Sequence, residues 1–265
     1  MPPVPLPAAS DDPLAGLGEL PGVGAAVDKA RTAVDRLRGH RVLRRQAEEV
    51  AAESALRGAR ASAALEGADL SLDVVRRAVQ TGSPLPEPER RLVQGAVRVA
   101  AEVGSLQATW TRAPLQVLAR LHSVAAAGST DPVSLGRPRP GGDRADRLAA
   151  LGVLLSTPSS APAVVVAAVV HGELLALDAF EGANGVVARA AARLVLGTRG
   201  LDPGGVSAPE VGHVELGIER YDDAAGGYAR GGVAGLAGWI VHCAEAVVLG
   251  AREGVAVCEA IGRGA

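Results

Sequence analysis

Aromatic side chains are nearly missing from this sequence. They make up 2% of its 265 residues, although 48% of the residues are hydrophobic, so the core must be built from Ala, Val and Leu. Large β-structures favour aromatic and β-branched residues that alternate with a period of two. Few such runs occur here, and a large all-β architecture is therefore not expected.

Cysteine, lysine and an excess of charge are also lacking. Two cysteines, Cys243 and Cys258, supply neither a disulfide framework nor a four-ligand zinc site, and they fit a reducing cytoplasm. Lys29 is the only lysine, and the abundance of Ala, Gly, Val and Arg is typical of a GC-rich bacterial genome. With 27 basic and 29 acidic side chains the net charge is −2, which argues against a nucleic-acid partner.

What is present is a succession of amphipathic helical patterns, so the predicted fold class is all-α. Residues 1–20 form a Pro-rich segment that we expect to be a disordered tail and not a signal peptide. Residues 21–85 are assigned to N-terminal helices, and residues 86–265 to a helical domain with C-terminal helices. The predicted helical segments span residues 25–42, 44–66, 71–80, 89–106, 114–126, 143–156, 161–177, 186–196, 209–228 and 233–261.

Two stretches depart from the amphipathic pattern. Residues 128–142 are too rich in Gly and Pro for a helix, and they predict a loop or a short β-hairpin. Residues 161–177 are apolar almost all round but are shorter than a bilayer core and carry His171 and Glu173. They therefore predict a buried central helix, and no membrane partner is expected.

The segment from Leu177 to Arg189 joins this apolar helix to the next one through a Gly-containing turn. Such a turn presents unpaired backbone N–H groups and the positive end of the helix dipole to one point. Arg189, one turn into the helix, can reach the same point, which favours an anion site for phosphate. A plain connector is the alternative. Asn184 and Phe180, the only asparagine and phenylalanine in the chain, both lie in this turn.

This turn resembles the signature of the Fic/Doc (Fido) family, H-P-F-x-[D/E]-G-N-G-R-x-x-R. Phe180, Asn184, Gly185 and Arg189 match it in register. Two upstream segments extend the resemblance: 118–122 (LARLH) is similar to the family's L-x-x-L-H helix, and 136–139 (GRPR) to the segment before its β-hairpin flap. The resemblance implies a Fic-fold helical bundle with a hairpin flap or loop near residues 128–142, and Asn184, Gly185 and Arg189 as nucleotide- or phosphate-binding residues.

A further segment resembles the inhibitory helix of the same family, [S/T]-x-x-x-E-[G/N]. Ser62, Glu66 and Gly67 occupy its three defined positions. In the family this glutamate lies against the second motif arginine and prevents the γ-phosphate of ATP from binding productively. The resemblance thus implies an inhibitory role for these residues and predicts a Glu66–Arg189 salt bridge within about 4 Å.

The departures from the motif concern its chemical groups. The family's general base is a histidine, and Asp178 stands at that position. A carboxylate is a far weaker base than imidazole at neutral pH, which argues against ordinary AMP transfer. Gly182 replaces the metal-binding acid and Val186 the first arginine. No metal ligand set is predicted, and Glu181, one residue early, is the weak candidate for Mg²⁺.

Three functions are consistent with this pattern. The favoured one is a regulator or pseudoenzyme that binds ATP or another nucleotide without efficient transfer. The second is a divergent enzyme that transfers AMP, phosphate or a phosphocholine-like group to a protein hydroxyl, with Asp178 as base. The third is a helical interaction module. The implied partners are a nucleotide and a protein target, and a homodimer is left open. The remaining histidines show no metal-ligand spacing, and His122 and His171 are interpreted as structural.

Overall fold

The all-α prediction is confirmed by a computed structural model, which describes residues 12–264. Within that range the chain forms eleven α-helices and one short 3-10 helix, with no β-strand. The helices are α1 (Val23–Arg38), α2 (Leu43–Ala64), α3 (Leu72–Thr81), α4 (Arg90–Trp110), α5 (Pro114–Ala125), α6 (Arg144–Ser156), α7 (Ala163–Leu177), α8 (Asn184–Thr198), α9 (Pro209–Leu216), α10 (Ile218–Arg230) and α11 (Gly232–Gly264).

Helix boundaries follow local signals in the sequence. Ser71 caps α3, because its hydroxyl accepts a hydrogen bond from the backbone N–H of Val74. Pro114 occupies the first position of α5, where a missing N–H leaves no gap. The predicted segment 209–228 is divided into α9 and α10 at Gly217, whose φ of +100° is a conformation that glycine tolerates and that a helix does not contain.

The chain before α1 differs in part from the predicted tail. Residues 1–11 of the predicted tail lie outside the described residues. Ala15–Glu19 form the 3-10 helix, and Leu14 is buried in the core. The Asp12 carboxylate accepts a hydrogen bond of 2.7 Å from the backbone N–H of Ser160. Residues 12–20 are therefore part of the folded structure, since an apolar side chain and a polar contact both hold them.

The core is centred on α7, α8 and α11. Helix α7 is buried on nearly all sides, as its uninterrupted apolar sequence predicts. Helix α8 packs along α7, and α11 contacts α1, α7, α9 and α10. Among the described helices, α11 alone is long and apolar enough to cross a membrane, and 44% of its apolar window is buried inside the structure. Helix α2 lies against α4, α8 and α9, which brings its C-terminal end close to α8.

The excursion near residues 128–142 is a loop of consecutive turns and not a β-hairpin. Its Gly and Pro content prevents two regular strands from pairing. The loop still contacts the α7–α8 turn, because the backbone N–H of Arg139 donates a hydrogen bond of 2.8 Å to the carbonyl of Ala179. Of the two predicted forms, the loop is the correct one.

Candidate functional site

The turn between α7 and α8 is held in an uncommon backbone conformation. Asp178, at the C-terminal cap of α7, has φ +44°, and Ala183, at the N-terminal cap of α8, has φ +49°. They are the positive-φ residues other than glycine in the described chain. This left-handed region costs an ordinary residue about 1–2 kcal/mol, so the surrounding contacts must hold the turn in place.

Replacing Ala183 with glycine should stabilise the protein by about 0.5 kcal/mol, because relief of left-handed strain exceeds the added freedom of the unfolded chain. Ala192→Gly, in the regular part of the same helix, should instead destabilise it by about 1 kcal/mol. Urea denaturation of both variants measures the difference. Equal destabilisation by the two substitutions would show that Ala183 is not strained.

Asn184 ties the turn to the end of α7 through its side chain. Its Oδ1 accepts a hydrogen bond of 3.2 Å from the backbone N–H of Phe180, and its Nδ2 donates one of 2.9 Å to the carbonyl of Leu174. An amide is suited to this place because it offers a donor and an acceptor at once. The asparagine therefore shapes the turn, and it is the backbone around it that can face an anion.

The N-terminus of α8 leaves backbone donors available beside a carboxylate. In the described part of the chain, the first intrahelical bond of α8 is made by Val187 N–H, and no acceptor is bonded to the N–H of Gly185 or Val186. A Cβ at Gly185 would overlap Glu66 Oε1 and would lie 2.9 Å from Arg189 Nη1. The absence of a side chain at Gly185 thus lets the Glu66 carboxylate approach the positive end of α8.

Arg189 is a buried cation whose bonds are all made inside the protein. It is 2% exposed. Its Nε donates to Ser62 Oγ (2.9 Å), its Nη1 to Tyr221 Oη (3.1 Å), and its Nη2 to both the Ser62 carbonyl (2.9 Å) and Glu66 Oε1 (2.8 Å). Burial opposes its charge, but Tyr221 and Glu66 together raise the pKa of the guanidinium above its ordinary value. The Glu66 carboxylate is the one counter-charge among these partners.

The three residues of the predicted inhibitory motif meet Arg189 at the end of α2. Ser62 lies in the last turn of that helix, and Gly67, with φ +91°, reverses the chain directly after it. Glu66 stands between them, and its side chain is 25% exposed. The predicted Glu66–Arg189 salt bridge is confirmed at 2.8 Å. The carboxylate is thus the solvent-facing member of a pair whose cation is buried.

Arg189 is backed by buried side chains that no sequence motif indicates. Tyr221 Oη accepts from Arg189 and lies 2.8 Å from His171 Nε2. Burial raises the pKa of Tyr221 to about 12 and holds the pKa values of His171 and His213 far below their usual range. The neutral imidazoles and the phenol thus give Arg189 a polar but uncharged wall. A helix pattern alone could not reveal this cluster, because its members come from separate helices.

The position of the expected general base faces solvent beside a cation. The side chain of Asp178 is 51% exposed, and its Oδ2 lies 3.4 Å from Arg139 Nη1 of the neighbouring loop. The Arg139 Nε also donates to the carbonyl of Phe180 (3.3 Å). The Asp178 carboxylate is thus turned to solvent and engaged by a neighbouring cation.

The carboxylates near the turn do not form a magnesium site. Glu181 is exposed, and Gly182 stands where the resemblance places the metal-binding acid. The hydrogen bonds of Glu181 use its backbone carbonyl, which accepts from His122 Nε2 (2.9 Å) and Thr130 Oγ1 (3.2 Å). With Asp178 engaged by Arg139, the residues of this turn do not provide the set of oxygen ligands that Mg²⁺ requires.

His122 joins the loop to the turn. Its Nδ1 accepts a hydrogen bond of 3.0 Å from the backbone N–H of Gly136, and its ring stacks on Phe180 with the centroids 4.7 Å apart. Burial lowers its pKa, so the ring is neutral and can accept from one side and donate to the other. The structural interpretation of His122 agrees with these contacts.

Comparison of the sequence with protein-family models and with curated proteins gives no match. Comparison with solved structures does. A Fic family protein from Desulfovibrio desulfuricans G20 superimposes with a TM-score of 0.69 at 21% identity, covering 87% of this chain and 74% of that one. Residues 134–508 of Fic-1 from C. elegans give 0.68 at 18% identity, covering 92% and 75%. The chain has the Fic fold.

A third Fic-fold structure is matched by this chain over nearly all of its own length. It is a Fic domain containing signaling protein from Bacteroides thetaiotaomicron VPI-5482, with a TM-score of 0.64 and 10% identity, covering 89% of this chain and 98% of that one. These structures thus share the backbone geometry of the Fic fold with this chain, but at such low sequence identity they share few of its side chains. The shared fold therefore does not determine the function of the α7–α8 turn, which depends on the side chains present in this chain.

Proposed function

We propose that this Fic-fold protein binds a nucleotide or a related phosphate compound at the N-terminus of α8, and that Glu66 competes with the phosphate for Arg189. The observation that carries the proposal is the Glu66 carboxylate, which lies against both Gly185 and Arg189. A carboxylate in that place uses the same helix dipole and the same guanidinium that a phosphate would use. ATP is the first candidate ligand, and the cytoplasm the expected location.

The same residues argue for binding without efficient transfer. Asp178 replaces the imidazole base expected from the resemblance and is paired with Arg139. The turn lacks the ligands for Mg²⁺, and Val186 offers no second guanidinium. General base catalysis and charge neutralisation each contribute large factors to phosphoryl and nucleotidyl transfer. A protein without these groups is suited to act as a nucleotide-dependent regulator, with a protein target as its partner.

Isothermal titration with ATP, ADP and AMP, each with and without Mg²⁺, tests the proposal. We expect ATP and ADP to bind with little dependence on Mg²⁺, because the chain supplies no magnesium ligands at the turn. Gly185→Ala should weaken the binding of ATP and ADP, because its Cβ would occupy the space beside the helix N-terminus where the phosphate is proposed to lie. If no nucleotide binds to the wild type or to a variant lacking Glu66, the chain is a helical interaction module.

The absence of transfer is measured separately. After incubation with ATP and Mn²⁺, mass spectrometry of the protein and of a cell lysate should detect no added AMP or phosphate. Labelling that depends on the wild-type chain and disappears in Asp178→Ala would establish the divergent enzyme in place of the regulator. Asp178 and Arg139 would then act as a base and the cation that orients it.

A further inference from the structure

Three helices bring imidazole and thiol groups together behind Arg189. His171 lies on α7, His213 on α9 and Cys243 on α11. All three are buried, and one ligand atom from each lies within 4.8 Å of the other two. A three-coordinate metal ion with bonds of about 2.0 Å to nitrogen and 2.3 Å to sulfur needs donors somewhat closer than this. Binding would therefore draw the three side chains closer together.

The second nitrogens of both imidazoles already have partners. His171 Nε2 lies 2.8 Å from Tyr221 Oη, and His213 Nδ1 lies 3.1 Å from His242 Nε2. Histidines that bind metals commonly use one ring nitrogen for the ion and the other for such a contact, which fixes the ring orientation. Metal binding through the other ring nitrogen of each histidine would make Tyr221 and His242 the outer partners of the site.

The surroundings of the cluster add a further observation. His242 Nδ1 is the buried side-chain polar atom without a hydrogen-bond partner in the described chain. The ring of Trp239 is stacked on that of His242 at 5.8 Å and covers the cluster from α11. A buried polar atom that has no hydrogen-bond partner lowers the stability of the folded protein. His242 is joined to the cluster by its other ring nitrogen, Nε2, which lies 3.1 Å from His213 Nδ1.

We propose that His171, His213 and Cys243 bind a thiophilic d¹⁰ metal ion in the core of this protein, at a site distinct from the phosphate site. A thiolate and two imidazoles are a ligand set that suits Cu⁺ or Zn²⁺ and does not suit Mg²⁺ or Ca²⁺. Binding replaces the proton of the Cys243 thiol with the metal ion, and the proton is released to solvent. The ion would join α7, α9 and α11.

Charge and coordination number favour Cu⁺ over Zn²⁺. The Arg189 charge behind Tyr221 is already paired with Glu66. A monovalent ion bound to one thiolate leaves the buried region neutral, whereas a divalent ion would add an uncompensated positive charge. Structural zinc also prefers four protein ligands, and this cluster offers three.

The test uses the full-length protein after removal of metals by a chelator. Under anaerobic conditions, Cu⁺ is titrated in competition with a coloured Cu⁺ chelator, and Zn²⁺ is titrated in parallel with a zinc indicator. We expect one equivalent of Cu⁺ to bind, with a rise in Tm, and Zn²⁺ to bind more weakly. Absence of one-to-one binding would overturn the site, and tighter binding of Zn²⁺ would overturn the assignment of the ion.

Variants of the two cysteines provide a matched pair. Both lie buried on α11, but Cys258 is outside the cluster. Cys243→Ala should lose at least about 100-fold in Cu⁺ affinity, and Cys258→Ala should retain the affinity of the wild type. Equal affinity in the two variants would refute the proposal. If Cys243→Ala does not fold, X-ray absorption of the wild-type complex decides, since the site requires one sulfur and two nitrogen neighbours around the ion.

Discussion

Replacing Glu66 with glycine is expected to raise the affinity for ATP about 100-fold, which corresponds to about 2.7 kcal/mol. The Glu66 carboxylate now accepts a hydrogen bond of 2.8 Å from Arg189, and a charge-assisted bond of this kind contributes about 1.5–3 kcal/mol. Its removal also takes a negative charge away from the N-terminus of α8. AMP should gain much less, because only the longer phosphate chain reaches the guanidinium.

The control for this prediction is Asp69→Gly. Asp69 lies three residues after Glu66 in the same connecting segment and pairs with Arg60 at the surface. The substitution changes the net charge by the same amount without touching Arg189, so it should leave nucleotide affinity unchanged. Isothermal titration of the wild type and both variants measures the effect. A similar gain in both would mean that overall charge, and not competition for Arg189, controls binding.

The ion pair at the candidate site could be predicted because a motif supplied the long-range information. Glu66 lies in the turn that follows α2, and Arg189 lies in α8, far apart in sequence. Composition and periodicity indicate only that α2 and α8 have apolar faces. The inhibitory and turn motifs together state which residues of the two helices meet. The burial of Arg189 among Ser62 and Tyr221 does not follow from the motifs, since Tyr221 belongs to neither.

Local signals predicted most of the helices and failed where the chain turns without a strong pattern. The capping serine at Ser71 and the proline at the start of α5 both mark real boundaries. Gly217 was read as part of a helical segment, although it separates α9 from α10. A single glycine is tolerated inside many helices, so its positive φ here depends on how the two helices pack and not on the residue alone.

The histidine cluster could not be predicted from hydrophobic periodicity. Metal-ligand motifs are recognised in a sequence when the ligands are close along the chain. The histidines of this sequence show no such spacing. His171, His213 and Cys243 lie on three different helices, and only the packing of α7, α9 and α11 brings them together. Periodicity indicates that a helix face is buried. It does not indicate which other buried face it contacts.

The same cluster predicts that the metal-free protein is sensitive to acid. Burial lowers the pKa values of His171 and His213 well below their ordinary value, and that of His242 to about 4 with a further contribution from Arg220. In the unfolded chain these histidines titrate near pH 6.5. Below that pH these three histidines together bind about three more protons in the unfolded chain than in the folded chain, and His122, whose pKa burial also lowers, adds to the difference, so acid favours unfolding.

The three core histidines should therefore lower the free energy of unfolding by about 4 kcal/mol per pH unit once the pH is well below 6.5, and the free energy should be nearly constant above pH 7.5. The contribution of His242 ends near pH 4, where its folded form also titrates. Urea denaturation of chelator-treated protein at several pH values, followed by Trp fluorescence, measures the slope. The neighbouring titratable groups, Arg189, Tyr221 and Cys243, keep one protonation state over this range.

Substitution of one imidazole gives the internal control. His242→Gln removes one of the three proton-binding groups and should reduce the slope by about 1.4 kcal/mol per pH unit. His242 is the most suitable choice, because its Nδ1 has no partner to lose and its Nε2 contact can be replaced by the glutamine amide. An unchanged slope in His242→Gln, or a wild-type stability that does not depend on pH between 4.5 and 6.5, would mean that the imidazoles accept protons without unfolding. The buried wall behind Arg189 would then be able to carry positive charge, contrary to its neutral role in the structure.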